Sequence, residues 1–313
     1  MDGFGPQACS AASTSAWCSF ARLVRFQKCS CALASETKRK FGMVTSSMGY
    51  ARSMYVLPMK AENLVDQLLP SSVDLLLTDP PYFGVVDEAW DNQWPNAHAY
   101  AQWLADVLLS FKPTLAPDAS ILLFQAMGKQ GCHPVFDVVR KLEAGGYYFR
   151  NWITWKKRRA YGKSHDYLYI REEILWFSVS PERTQVRFNI PLSDELRGYE
   201  GFNKSHPAKS PYKRVGNVFS GVYDVIEDCP ELMRPERACQ KPQTLMRRLV
   251  ETHSHPGDFV VDPFAGWGSA GVASLELGRG FLGSEAITSD AADADSRCLL
   301  ARNKHNSSAN GLR

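Results

Sequence analysis

No stretch of this 313-residue chain approaches the roughly 18 uncharged apolar residues that span a bilayer, so a membrane-inserted helix is not expected. There is no Cys-x-x-Cys pair either, which argues against a zinc ribbon or a thioredoxin-type site. The eight cysteines are irregularly spaced in a chain too large to need a disulfide framework, and reduced thiols in an intracellular protein are the expectation. His165, His206, His253 and His255 lack metal-ligand spacing, so no metal is expected and solvated or capping roles are. No strong charge excess exists: the net charge of +3 names no partner, and only the placement of the charge is informative. With 44% hydrophobic and 22% charged residues, the chain has the composition of ordinary globular protein with a real core.

The first 45 residues differ from the rest. They are rich in Ser, Ala and Cys and carry Arg22, Arg25, Lys28, Lys38, Arg39 and Lys40, with only Asp2 and Glu36 as acids. That composition fits an organelle transit peptide; a disordered tail, or a start at Met43 or Met48, fits equally, and nuclear entry stays open. Residues 1–50 are therefore set aside from the fold.

From Met54 onward helical and strand patterns alternate. "SVDLLLTD" (72–79) and "SILLFQ" (120–125) read as strands buried on both faces, while "ENLVDQLL" (62–69), "AYAQWLADVLLSFKPTL" (99–115) and "HPVFDVVRKLEAGG" (133–146) read as helices. "FRNWITWKK" (149–157) and "EEILWFSV" (172–179) read as two strands joined by a basic loop, with Trp152 and Trp176 packing into the core. Periodicity fades over 181–238. It returns as helix (241–254), strand (258–264), helix (269–277), strand (280–285) and helix (292–305). This order predicts an α/β fold: a doubly wound, mostly parallel, Rossmann-like sheet.

Two loops stand out. "DPFAGWGSAGVAS" places Gly266, Gly268 and Gly271 between a strand and a helix, and Glu285 ends the following strand. Glycines let the backbone approach a ligand, the helix offers unpaired amides, and the acid can accept from both ribose hydroxyls of a nucleoside-type cofactor. Only 28 residues follow Glu285, so the remaining strands must come from earlier in the chain. The natural neighbour at the carboxyl edge is the strand ending at Asp79, which makes the sheet permuted, catalytic half first.

The second loop is "TDPPY". An Asp79 oxygen and the Pro80 carbonyl, stiffened by Pro81, can each accept one hydrogen from an exocyclic amino group, and Tyr82 offers a flat face to a base. Two fixed acceptors favour the pyramidal nitrogen, whose lone pair is then available to an electrophile.

In these residues the chain resembles the amino-group DNA methyltransferases that depend on S-adenosyl-L-methionine, in the subgroup whose catalytic motif precedes the glycine loop. "SSVDLLLTDPPY", "QKPQTLMRRLVETHSHPGDFVVDPFAGWGS", "GRGFLGSE", "NWITWKK" and "EEILWF" carry the resemblance over most of 54–305. It implies methyl transfer to adenine N6 in DNA, the leading Asp of the tetrapeptide favouring adenine over cytosine N4. Asp79, Pro80, Pro81 and Tyr82 would act on the target amine. Asp262, Pro263, Phe264, Gly266, Gly268 and Ser269 would surround the cofactor, with Glu285 on its ribose and Lys241 and Pro242 at its methionine end. Residues 51–180 would form the catalytic half, 181–238 a target-recognition region, and 239–313 the cofactor half. Trp267 and Ser269 depart from the usual small residue and Thr.

Between Arg150 and Arg214 there are fourteen Lys or Arg against seven Asp or Glu. Lys156, Lys157, Arg158, Arg159 and Lys163, interleaved with Trp155 and Tyr161, suit phosphates and unstacked bases. DNA is the expected partner, with RNA an alternative and monomer or homodimer undecided. Cytosine N4, RNA adenine or a protein amide as acceptor, a degenerate fold that binds without turnover, and, on the glycine spacing alone, an NAD dehydrogenase remain rival readings.

Overall fold

The structure is a computed structural model that describes residues 54–85, 91–127, 132–161, 164–165, 167–197, 210–221 and 240–310. The expectations for residues 1–50, His206 and Lys163 lie outside these, as do those for the side chains of Arg158, Arg159 and Tyr161. Tyr55–Arg313 forms one compact unit.

Its strands are β1 (Val56–Pro58), β2 (Val73–Thr78), β3 (Leu115–Gln125), β4 (Tyr148–Tyr161), β5 (Tyr169–Ser178), β6 (Leu192–Leu196), β7 (Tyr212–Arg214), β8 (Val218–Phe219), β9 (Phe259–Asp262) and β10 (Gly280–Glu285). Its α-helices are α1 (Ala61–Leu64), α2 (Ala97–Ser110), α3 (Pro134–Ala144), α4 (Gln243–His253), α5 (Ser269–Glu276) and α6 (Thr288–Asn310). Eight strands form one sheet in the order β1-β10-β9-β2-β3-β5-β4-β8. Among the described residues of this sheet, only the β3–β5 and β5–β4 pairings are antiparallel; β6 and β7 form a separate antiparallel pair. The fold is thus the expected mostly parallel α/β sheet, in permuted order.

Parallel strands need crossover helices, and helices on both faces bury the sheet twice, which is why β2 reads as unbroken apolar sequence. Leu75 and Leu77 join the cluster built with Leu245, Leu249, Ala270 and Ala273 of α4 and α5. Leu76, also fully buried, points to the opposite face by strand alternation. On α2, Tyr100, Ala101, Leu104, Ala105 and Leu108 recur at helical spacing, and all are buried.

Several expectations need correction. "ENLVDQLL" supplies only the short α1 and a 3-10 turn at Val65–Gln67. The strand expected over 149–157 runs further: 158–161, expected to open the basic loop, continue β4, with pairing that reaches Tyr161↔Tyr169. Among the core candidates, Trp176 is buried, whereas Trp152 is half-buried and donates its indole N–H to Glu173. His253 is neither solvated nor a cap: it is buried against Trp176 and Phe188, with Nδ1 3.3 Å from Ser120 Oγ. Burial pushes its pKa down to about 3, so the ring is neutral. Among the described residues, Cys132 and Cys298 are free thiols. Among the described residues no helix is long and apolar enough to cross a membrane, and no His, Cys, Asp or Glu group could hold a metal ion.

At the amino-terminal end of the sheet, Arg187 binds three aspartates: Asp74 of β2 at 3.0 Å, Asp118 within β3 at 2.6 Å, and Asp258 just before β9 at 2.5 Å. One guanidinium thereby ties the segment after β5 to three strands. Removing one partner of a desolvated ion group leaves the others uncompensated. Arg187→Met is therefore expected to lower stability by roughly 3 kcal/mol at pH 7. The gap should narrow near pH 4, where the released carboxylates take up protons. Urea unfolding at both pH values measures this, and an unmoved midpoint would show that the cluster does not couple to folding.

Candidate functional site

The carboxyl ends of β2 and β9 lie side by side, with Leu75 opposite Val260 and Leu76 opposite Val261. From β2 the chain crosses over to β3 on one side, and from β9 to β10 on the other, so a crevice opens between them. A buried hydrogen bond closes its floor: Thr78 Oγ1 donates to Asp262 Oδ1 at 2.7 Å. The Phe264 amide donates to the same oxygen at 3.0 Å. Asp79 and the glycine loop, distant in sequence, are thus neighbours.

On the β9 side, Gly266 has φ +49°, and among the described residues a Cβ built there meets nothing within 4 Å. The loop therefore presents open space rather than packed chain. Gly268, in the left-handed region, caps α5, which starts at Ser269 with no side-chain cap on its first amides. Gly271 is glycine for a different reason, because a Cβ would sit 2.5 Å from Cys298 Sγ and 2.6 Å from the Phe281 ring. Glu285, at the tip of β10, accepts from the Ile287 amide at 2.9 Å. Burial raises its pKa against the lowering effect of amides that include that of Gly266, so the acid and the glycine loop are in contact. An open glycine cradle, bare helix amides and an adjacent carboxylate fit a nucleoside-type cofactor.

The other named residues frame this cradle. The Pro263 carbonyl accepts from Ser284, the Phe264 ring meets Trp103 edge-on at 5.6 Å, and the Ser269 carbonyl accepts from Gln243. Trp267 is half-buried; its ring has the Arg297 guanidinium of α6 at 5.9 Å, and Arg297 donates to its carbonyl.

On the β2 side the tetrapeptide is clamped from several directions. The Pro81 carbonyl accepts from Tyr100 Oη at 2.9 Å, and Asp91 fixes the following turn through the Gly84 amide at 3.0 Å and the Val85 amide at 2.6 Å. Asp79 Oδ1 accepts from Tyr82 Oη at 2.6 Å, and Oδ2 pairs with Lys241 Nζ at 2.5 Å. Lys241, just before α4, also reaches Glu172 of β5 at 3.2 Å and lies 5.6 Å from the Tyr82 ring. Glu172 in turn pairs with Lys157, diagonally across β4–β5.

Burial sets the charge states here. It pushes the Asp79 carboxyl upward, opposed by Lys241 and reinforced by Glu172. It would raise Glu172 as well, but Lys241 and Lys157 outweigh it and hold that carboxyl below its usual range. Burial, then Asp79 and Glu172, drive the Tyr82 phenol well above its usual pKa, so it donates to Asp79 as a neutral hydroxyl. Asp262 is pushed up to about 7, by burial first, with Thr78 and the Phe264 amide pulling the other way.

The structure brings together Asp79, Tyr82, Lys241, Asp262 and the glycine loop. It puts the Lys241 ammonium, expected at the methionine end of a cofactor, on Asp79. Lys156 is exposed on β4, whereas Lys157 is engaged by Glu172. Sequence reasoning missed Glu172 and Asp91 altogether. The only available signal was a pair of acids opening an otherwise apolar strand, "EEILWF".

A family model for N6/N4 methyltransferases, described as DNA methylase, matches residues 73–292. The chain is 27% identical over 219 residues to the type II methyltransferase M.HpaI of Haemophilus parainfluenzae, across 68% of this chain and 64% of that enzyme. It thus spans slightly under two thirds of that relative's length. Its fold is similar to the cytosine-N4-specific PvuII DNA methyltransferase, with TM-score 0.57 and 16% identity over 81% of this chain and 92% of the other. It is also similar to TTHA0409 of Thermus thermophilus in complex with S-adenosyl-L-methionine, with TM-score 0.52 and 21% identity over 78% and 94%.

Asp262 yields a stability prediction. Its folded pKa lies above the unfolded value, so its contribution is full below about 4 and is lost as pH rises towards about 7. Asn keeps an Oδ1 acceptor for Thr78 and Phe264 without the charge. Asp262→Asn is expected to raise stability by on the order of 2 kcal/mol at pH 8 and to flatten the profile between these pH values. Thermal unfolding across pH checks this; a parallel wild-type and variant profile would refute the charge-burial account.

Proposed function

Because the chain belongs to the N6/N4 DNA methylase family, we propose that it methylates an exocyclic amino nitrogen of a DNA base, adenine N6 foremost, using S-adenosyl-L-methionine. The observation that carries this reading is the Thr78–Asp262 hydrogen bond, which seats an amine-binding loop and a nucleoside cradle on one crevice. The resemblance of the residues and the bound cofactor of the Thermus structure support the same cofactor.

When bound, the cofactor supplies an electrophilic sulfonium methyl. The protein's own contribution is alignment and electrostatics. Gly266 and Gly268 give backbone access, Asp262 and Phe264 shape the wall, and Glu285 accepts from ribose hydroxyls. Asp79 and the Pro80 carbonyl each accept a hydrogen from the target amine. The nitrogen lone pair then forms the new N–C bond while the S–C pair stays on sulfur. Asp79, with its raised pKa, takes the proton the nitrogen loses and passes it to water.

Adenine rather than cytosine rests on the leading Asp of the tetrapeptide; the PvuII relative, cytosine-N4-specific, keeps the second acceptor in play. A duplex base would have to leave the stack to reach Asp79. The exposed Lys156 of β4 supports a phosphate-binding role for the basic sequence 156–163, of which the side chains of Arg158 and Arg159 and all of Lys163 lie outside the described residues. The β6–β7 ribbon falls in the segment assigned to target recognition.

Transfer of labelled methyl groups to duplex and single-stranded DNA and RNA, followed by nucleoside mass spectrometry, tests the reading. N6-methyladenine in DNA is expected; N4-methylcytosine or methylated RNA would redirect the acceptor. Asp79→Ala should cut transfer by roughly a thousandfold while cofactor affinity stays within about tenfold. Full rate in that variant would remove Asp79 from the chemistry.

A further inference from the structure

Four charged side chains meet behind the tetrapeptide: Asp79, Lys241, Glu172 and Lys157, linked in that order. Their formal charges cancel. Tyr82 and Tyr100 beside them are held neutral by burial, and Asp262, close enough to feel Asp79, is left unchanged in every variant below. Catalysis requires only one of the four, Asp79. The lysine beside it creates a difficulty, because a methyl donor aligned for transfer brings its positive sulfur within a few ångströms of the amine that Asp79 holds. A lone Lys241 would repel that sulfur and monopolise the carboxylate.

We propose that Glu172 is an electrostatic positioning residue for methyl transfer: by sharing Lys241 with Asp79 and pairing Lys157, it keeps the crevice wall neutral towards a cationic sulfonium donor. The inference rests on the methyltransferase reading above. Three features of the geometry carry it. Glu172 side-chain exposure is 12%, and Lys241 exposure is 7%, so solvent screens neither well. Lys241 Nζ lies 2.5 Å from Asp79 and 3.2 Å from Glu172, shared between the two carboxylates. Glu172 also approaches Tyr82 Oη at 3.5 Å, on the same hydroxyl that donates to Asp79. The depressed pKa of Glu172 agrees with a carboxylate that stays ionised throughout.

The donor and its demethylated product differ in one relevant respect: S-adenosylmethionine carries a positive sulfur, S-adenosylhomocysteine a neutral one. Their affinity ratio therefore reads the potential at the sulfur and cancels most structural damage. Titration calorimetry on the full chain is expected to show the sulfonium Kd rising about tenfold in Glu172→Gln, while the thioether Kd moves less than about twofold. Glu172→Asp should keep the wild-type ratio. Lys157→Gln should shift the ratio towards the sulfonium, and the double variant Glu172→Gln/Lys157→Gln should bring it back near wild type, because the wall is neutral again. Equal weakening of both ligands in Glu172→Gln, or a double variant no better than the single, would overturn the proposal. Should Glu172→Gln fail to fold, the opposite shift in Lys157→Gln and the double variant decide alone. A wild-type protein that binds neither ligand would instead sink the methyltransferase reading itself.

Discussion

The pairing of β2 with β9, closed by the Thr78–Asp262 hydrogen bond, is the contact on which the rest depends. The two loops that open the crevice lie at the carboxyl tips of these two strands, yet the strands are far apart in the chain. Only a sheet assembled in permuted order brings them together, and only a crossover on either side leaves a crevice between them. A one-residue slip of β2 would turn Thr78 away from Asp262 and reverse the faces of Leu75, Leu76 and Leu77. Because leucines face both ways, the apolar run alone would tolerate such a slip, and it is the Thr78–Asp262 contact that marks the register.

How far this could be read from sequence depended on whether the signal was local. The apolar runs of β2 and β9, the helix pattern of α2, and the glycine loop with Glu285 at the end of the next strand are local regularities, and they gave the fold and the adjacency of the two motifs. Glu172 was invisible because its meaning lies in partners far along the chain: Asp79 through Lys241, and Lys157 across a hairpin. β1 escaped notice for a related reason. Three residues ending in Pro58 make a strand only because β10 offers them an edge. The β4 extension was misread because a cluster of cations looks like a solvated turn, whereas pairing with β5 carries the strand through it. His253, polar in sequence, is buried by the aromatic rings of Trp176 and Phe188 around it.

The two ends of the sheet treat buried charge differently. At the amino end, a single Arg187 holds Asp74, Asp118 and Asp258, and burial with the neighbouring Asp258 still raises the Asp74 carboxyl above its usual range. At the carboxyl end the charges of Asp79, Lys241, Glu172 and Lys157 cancel, but Asp262, buried beside them, is held by a hydroxyl and an amide and has a pKa near 7. Neither end gives every carboxylate its most stable surroundings, but at the amino end an arginine ties the acids to three strands, whereas at the carboxyl end the acids line the crevice.

That asymmetry has a physical rationale in the proposed chemistry. A carboxylate fully satisfied by an arginine would be a poor acceptor for an amine and a poor home for its proton, because its lone pairs and its basicity would already be committed. Asp79 has a shared lysine instead, and burial keeps its basicity high. Asp262, with its carboxyl pushed up to about 7, can accept from Thr78 and Phe264 in either protonation state without fixing a charge under the glycine loop. The site thus departs from maximal stability at the residues where an exchangeable proton or an open acceptor is required. The Arg187 cluster, far from the crevice, supplies rigidity where no chemistry competes for it.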